Sequence, residues 1–323
     1  MMRAIRLERH GGPEVLTLAE VETPRPGPGE ILLRHEAVGL NFIDVYRRTG
    51  LYPAQLPIVI GNEAAGVVEA VGEGVTRFAP GDRAAYGTQM GGYAEFSIAP
   101  EGRVVKLPDW ITTRTAAAVM LKGLTAEFLA RRIWPFAIGD WALVHAAAGG
   151  VGTLLAQWLA HLGVRVIGTV GSDEKAAHAR AHGCAETILY RSEDVAARVR
   201  AITDGAGVRV VYDAVGRDTF EASLASLGKR GLLVSYGNAS GPVEPISPLE
   251  LMRRGSLFLT RPTLFDYVVT TEELDAAAAA LFQVIQSGAV KIEIGQTFPL
   301  AEAAEAHRAL ESRGTIGATL LIP

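Results

Sequence analysis

From Trp141 to about Pro262, short apolar, β-branched runs alternate with Ala-rich segments of helical period. They read WALVHAAA, GVGTLLAQWLAHLG, VRVIGTV, SDEKAAHARAHG, ETILY, SEDVAARVRAITDG, VRVVYDAV, RDTFEASLASLG, GLLVSYG, PLELMRRG and SLFLT. Strands that are apolar on both faces need cover on both sides. A helix between each strand and the next supplies that cover and sends the chain back to start a parallel neighbour. The rhythm therefore predicts a doubly wound α/β domain over residues 123–262. Residues 1–122 do not share it. They are rich in Gly and Pro and carry short strands such as EILLRHEAVGL, AAGVVEAVGEGV and DRAAYGT, the pattern of a curled antiparallel β domain close to a barrel. The C-terminal FPLAEAAEAHRALESRGTIGATLLIP reads as a helix followed by a strand. It is expected to return to the first domain, which would then be discontinuous, 1–122 with 263–323.

Composition closes off several classes of function. The chain of 323 residues is 49% hydrophobic and 20% charged, enough for two domains with separate cores. No uncharged apolar run reaches the ~18–20 residues of a membrane span, and MMRAIRLERH lacks the apolar segment of a secretory signal. A net charge of −4 gives no general attraction to nucleic acid or anionic lipid. Cys184 is the only cysteine, so no intrachain disulfide can form and a reducing, cytoplasmic location is expected.

In a doubly wound sheet the first strand-to-helix turn is where a dinucleotide's pyrophosphate meets the free N–H groups of a helix start. The glycine pattern stands there as Ala147-x-Gly149-x-x-Gly152, after the strand ALVHAAA and at the start of an apolar helix. That context lifts it above a chance match. Ala147, Gly149, Gly150, Val151 and Gly152 are therefore candidates to cradle the phosphates. The end of the second strand should choose the cofactor, because NAD-binding domains place a carboxylate there against the ribose 2′-hydroxyl. Here that position is Val170, followed by Gly171 and Ser172, with Lys175 one turn into the next helix. A hydroxyl, exposed amides and an ammonium suit a 2′-phosphate, so the expected cofactor is NADPH. Lysine is scarce in this chain, five against 26 arginines, which makes this one stand out.

The ordered motifs PRPGPGEILLRHEAVGLNFIDVYRRTGLYP, GNEAAGVVEAVG, GDRAAY, LKGLTA, HAAAGGVG, VVYDAVGRDTF and VSYGNASG resemble the quinone oxidoreductases. These form the zeta-crystallin branch of the medium-chain dehydrogenase/reductase superfamily, and the likeness runs over nearly the whole chain. The resemblance implies a GroES-like β-barrel catalytic domain, a Rossmann cofactor domain, a cleft between them, and a homodimer formed through the Rossmann sheets. Zinc alcohol dehydrogenases of the same superfamily hold their catalytic metal with a Cys, a His-Glu pair and a second Cys. Here those positions read Asn41, Asn62-Glu63 and about Lys122, and the four-cysteine structural loop is missing. No metal is expected, since zinc needs three or four S, N or O ligands. HARAHGC, with His178, His182 and Cys184, is a rival ligand set, but it lies in the second Rossmann helix and reads better as helix-end residues. His145 reads as a satisfied core histidine.

Without a metal to polarise a carbonyl, the acceptor has to be electrophilic already, as a quinone is. The protein then orients the reactants and offers hydrogen bonds where charge develops on oxygen. The resemblance puts Asn41, Tyr46 and Tyr52 around the nicotinamide and substrate. Tyr52 is a candidate to stack on or donate to a quinone, and Tyr46 to donate to the oxyanion. Asp44 would fix the turn or bond the nicotinamide ribose. The same carry-over adds Thr125, Lys175, Tyr190, Val215, Tyr236, Asn238 and Arg313 to the cofactor site. The reading is a zinc-free NADPH:quinone oxidoreductase, a soluble enzyme of a small-molecule quinone. A second reading keeps the fold but takes an enoyl thioester or other α,β-unsaturated carbonyl, with Arg47 and Arg48 as candidates for a long acyl-CoA. A third is non-enzymatic, an NADPH-regulated RNA-binding or crystallin-like protein. The acidic balance and the lack of a basic stripe with interleaved aromatics argue against nucleic acid.

Overall fold

In a computed structural model describing residues 1–323, the chain folds as two compact units. The first comprises Met1–Leu124, Val268–Leu281 and Ile292–Pro323, and the second Thr125–Tyr267 and Phe282–Lys291. The division differs from the sequence expectation chiefly in that residues 282–291 belong with the second unit. Gln157 holds them there, its amide nitrogen donating to the Lys291 carbonyl at 3.0 Å and its oxygen accepting the Lys291 amide at 2.9 Å. The other boundaries fall two residues later at one end and five at the other than the 122/123 and 262/263 expected.

The first unit begins with β1 (Met2–Leu7), β2 (Leu16–Val21) and β3 (Glu30–Gly39), followed by the helix α1 (Phe42–Thr49). After it come β4 (Ile58–Val59), β5 (Glu63–Val71), β6 (Arg83–Tyr86), β7 (Phe96–Pro100), β8 (Val105–Lys106) and α2 (Thr113–Arg131). β1 is flanked by β2 and β4 in a small antiparallel sheet. β3 is the spine of the larger one, paired antiparallel with β5 and β7. Along β3 the inward residues Ile31, Leu33 and Val38 are fully buried, joining Ile5, Leu7, Ile60, Tyr86 and Tyr93 in one core. Each such aliphatic side chain withdrawn from water contributes ~1.5–3 kcal/mol.

The second unit runs β9 (Trp141–Val144), α3 (Gly150–His161), β10 (Arg165–Val170), α4 (Asp173–Ala181), β11 (Cys184–Leu189) and α5 (Val195–Ile202). It continues with β12 (Val208–Asp213), α6 (Phe220–Ser226), β13 (Leu227–Ser235), α7 (Pro248–Arg253) and β14 (Phe258–Thr260). The strands form one sheet in the order β11-β10-β9-β12-β13-β14, every pairing parallel. Leu143, Ile167, Ile188, Val211 and Leu233 sit on these strands at 0% exposure, as apolar runs covered on both faces require. The strand order reverses at β9, so the crevice outside the carboxyl ends of β9 and β12 is the place for a ligand.

The last part of the first unit contributes β15 (Ile294–Pro299), α9 (Ala303–Glu311) and β16 (Ala318–Ile322), after α8 (Thr271–Gln286). The C-terminal helix and strand thus return to the first unit: Leu320 and Leu321 pair antiparallel with Gly39 and Val38 of β3. No helix is long and apolar enough to cross a membrane.

Candidate active site

The turn after β9 is built for close approach. Ala146 takes a left-handed conformation (φ +52°), and its carbonyl accepts the Gly149 amide at 2.9 Å. Gly149 is the residue before the first turn of α3 and carries no side chain to cap it. The first intrahelical bond runs from the Thr153 amide to the Gly149 carbonyl at 2.9 Å, so the amides of Gly150, Val151 and Gly152 stand ahead of the ladder. At Gly152 an added Cβ would lie 2.3 Å from the Ala146 carbonyl oxygen, so only glycine brings the helix this close. Ala147 is fully buried, and its methyl packs where a Cβ on Gly168 would meet it at 2.7 Å. It shapes the turn beside the left-handed Ala146.

Beneath this turn His145 bonds Thr169 through Nδ1 and Ser223 through Nε2, both at 3.0 Å. Ser223 donates to Asp213 at 2.6 Å. Burial pushes the His145 pKa down, with Asp213 opposing, so the ring is a neutral tie between strand ends. Asp213 also accepts the amides of Val215 and Gly216 and the Thr219 hydroxyl at 2.8–2.9 Å. Val215 is consequently spent at its amide, and its carbonyl accepts Ser240. Only its side chain is left to face a cofactor.

At the end of β10, Val170 is 2% exposed where an NAD site would carry an acid. Ser172 caps α4 by accepting the Lys175 amide at 3.3 Å. The Tyr190 hydroxyl lies so close over Gly171 that a Cβ there would sit 2.9 Å from it. The Lys175 ammonium has its pKa pushed down by burial and by Arg191, against Tyr190 and Glu174. Gly171, Ser172, Lys175 and Tyr190 are thus brought together. Arg191 joins them, a cation the sequence reading passed over although it follows Tyr190 directly. Further along the sheet, the Tyr236 amide donates to the Asp213 carbonyl at 2.8 Å. The Asn238 amide bridges the Gly237 carbonyl (3.0 Å) and the Arg261 guanidinium (3.2 Å). Thr125 is buried on α2. Arg313 lies exposed in the left-handed turn after α9 of the first unit. Cys184 is buried on β11 against Gly168, its thiol pushed up to about 12 by burial.

In the first unit the chain leaves β3 at Asn41 and turns into α1. The Asn41 amide donates to Asp44 Oδ2 at 2.9 Å, tying off the helix start. Asp44 is wholly buried and fixes the turn. Burial pushes its pKa up to about 7, against the Asn41 amide, the Tyr93 hydroxyl and the charges of Lys122 and Arg47. Tyr93 donates to Asp44 at 3.1 Å and meets His307 of α9 at 3.0 Å; His307 in turn meets Arg48 at 3.0 Å. Arg48, 1% exposed, grips Glu311 with two bonds of 2.7 Å. The sequence reading of Arg48 as a basic residue open to an acyl-CoA is therefore wrong: it is a buried strut between α1 and α9. These bonds fix the helix that carries Tyr46, whose ring lies 5.1 Å from that of Tyr52, and the Tyr52 amide donates to the Tyr46 carbonyl at 3.0 Å.

The positions that hold zinc in alcohol dehydrogenases close on one another. The buried Glu63 carboxylate accepts the Lys122 ammonium at 2.7 Å, the Leu121 amide at 2.6 Å and the Asn41 side-chain amide at 2.9 Å. Asn62 is fully buried, with neither side-chain polar atom partnered. Two amides and an ammonium that spends the carboxylate are not a zinc ligand set.

Residues 27–109 match the alcohol dehydrogenase GroES-like domain, and residues 150–283 the zinc-binding dehydrogenase family. A quinone oxidoreductase of Pseudomonas aeruginosa is 52% identical over 325 residues, covering 100% of both chains. The crystal structure of the quinone oxidoreductase of Pseudomonas syringae pv. Tomato DC3000 superposes with a TM-score of 0.98 at 50% identity, covering 100% of both. That of Escherichia coli quinone oxidoreductase complexed with NADPH does so at 0.97 and 45%, covering 99% of this chain and 100% of that one. The chain belongs to the quinone oxidoreductases of the medium-chain dehydrogenase/reductase superfamily.

Proposed function

We propose that this protein is an NADPH-dependent quinone oxidoreductase that works without a metal. The observation that carries the reading is the closed Glu63–Lys122–Asn41 cluster, which leaves no carboxylate or imidazole to hold a Lewis acid at the positions that hold zinc in alcohol dehydrogenases. The acceptor must then be reactive by itself, as a conjugated dione is. NADPH supplies the hydride when bound. The amides of Gly150, Val151 and Gly152 hold its pyrophosphate, and Gly171, Ser172, Lys175 and Tyr190 hold its 2′-phosphate, with Arg313 adding charge. Thr125, Val215, Tyr236 and Asn238 contact its remaining parts. Asn41, fixed by Glu63, positions the nicotinamide. Tyr46 and Tyr52 donate to the quinone oxygen as negative charge grows there. The similar proteins, quinone oxidoreductases and one of them complexed with NADPH, support this assignment.

The test is anaerobic oxidation of NADPH by the purified protein with 1,4-benzoquinone beside crotonyl-CoA, repeated with NADH. Turnover with benzoquinone, preferring NADPH, is expected. Turnover with crotonyl-CoA alone would refute the reading.

We further infer a cytoplasmic homodimer. β14 closes the six-stranded sheet with one unpaired edge, where Phe258 is 55% and Leu259 37% exposed. The Leu257 amide bonds the Leu251 carbonyl, joining this edge to α7, whose Leu249 and Met252 are also exposed. An uncovered apolar edge strand suits a second copy of itself. Light scattering should give twice the chain mass, halved by Phe258→Glu; a monomeric wild type would refute it.

A further inference from the structure

We propose that Arg47 is a specificity residue that selects acceptors carrying an anionic group, a carboxylate or sulfonate, on the conjugated ring. This rests on the quinone reading and deepens it.

Helix α1 has two faces. Asp44, Val45, Tyr46 and Arg48 are buried, whereas Phe42, Ile43 and Arg47 are half-exposed. At ~100° per residue, Ile43 lies between Tyr46 and Arg47, so the guanidinium leaves the helix on the arc that carries the candidate proton donor.

Arg47 and Arg48 are neighbours with opposite fates. Arg48 is satisfied by Glu311, His307 and the Gly11 carbonyl. Arg47 makes no salt bridge. Its Nε is buried with no partner, and one terminal nitrogen points at the thioether sulfur of Met90, a weak acceptor. The nearby acid, Asp44, makes no hydrogen bond to it and acts only as a neighbouring charge: Oδ2 is spent on the Asn41 amide and the Tyr93 hydroxyl. Two other partly exposed arginines have carboxylate partners, Arg3 in Glu95 and Arg77 in Asp275. A guanidinium has five donors in a fixed fork that matches a carboxylate or sulfonate. Half-withdrawn from water, with no salt bridge and beside the substrate tyrosine, Arg47 is placed to take an anion from the ligand. Burial pushes its pKa down and the charge of Asp44 offsets this only in part, so a directly bonded anion lowers the remaining cost.

The test compares menadione with 1,4-naphthoquinone-2-sulfonate under saturating NADPH, for wild type, Arg47→Met and Arg47→Lys. The ratio of kcat/KM for sulfonate over menadione should fall 10- to 100-fold in Arg47→Met, mainly through KM, and by less in Arg47→Lys. In wild type the preference should shrink with added salt. Equal losses on both quinones, or no loss, would overturn the proposal. The NADPH Kd and thermal midpoint of each variant report whether it is folded. Should wild type turn over neither quinone, the quinone reading fails. Calorimetric binding of the sulfonate to the NADPH complex then decides the role of Arg47, with equal affinity in wild type and Arg47→Met overturning it.

Discussion

Replacing Lys122 by Met removes the cation from a carboxylate that cannot reach water. Glu63 is 0% and Lys122 5% exposed, and their 2.7 Å contact is the only ion pair at Glu63. Breaking a buried pair from one side costs about 3–5 kcal/mol, because it strands the other charge. Two neutral donors, the Leu121 amide at 2.6 Å and the Asn41 amide at 2.9 Å, remain on Glu63 and place the loss at the lower end, about 3 kcal/mol. Glu63→Gln alone strands the ammonium at a similar cost. The double variant, with both charges gone, should lose far less than the two singles together, with a coupling of at least ~2 kcal/mol. Urea unfolding of the four proteins measures this cycle. A loss below about 1 kcal/mol in Lys122→Met, or additive losses, would refute the idea that this pair replaces a metal as the centre of the site. Asn41 takes its orientation from Glu63, so the double variant should also show a raised KM for NADPH.

Two other outcomes follow from the geometry. Lys175→Ala should weaken NADPH by roughly 1.5–3 kcal/mol, the range of a charge-assisted bond, and weaken NADH much less; fluorescence titration reads both, and equal losses would contradict a 2′-phosphate site. Acid should destabilise the fold: burial holds His35 at about 4 and His307 at about 3, so below pH 6.5 the unfolded chain takes up protons that the folded one refuses. Asp44, raised to about 7, acts the other way, since it is protonated in the fold before it is in the unfolded chain. His35 and His307 against Asp44 leave a net loss of about 1.5 kcal/mol between pH 6.5 and 5, to which His145, also pushed down by burial, adds; urea unfolding measures it, and a flat or rising profile would contradict it.

The parallel sheet was legible because its signal is local. VRVIGTV and VRVVYDAV carry apolar residues on both faces, and both became central strands buried at nearly every position. The glycine turn was legible because strand, glycines and helix are contiguous, although only the backbone shows that Ala146 rather than Ala147 takes the left-handed turn. Contacts between distant residues were not legible. Nothing around Lys291 announces its bonds to Gln157, 134 positions away. Arg48 looks like the exposed twin of Arg47 until α9 brings His307 and Glu311 to it. The substitutions Asn41, Asn62 and Lys122 were visible as lost metal ligands. Their replacement by an internal ion pair needed the fold of β5 onto α2.

The central claim is hydride reduction of a quinone on NADPH with no metal taking part. The most direct measurement is the anaerobic rate of NADPH oxidation with 1,4-benzoquinone by protein stripped exhaustively with a chelator and verified metal-free. The account predicts the full rate, unchanged by added zinc. A rate lost on stripping and restored by zinc would contradict it.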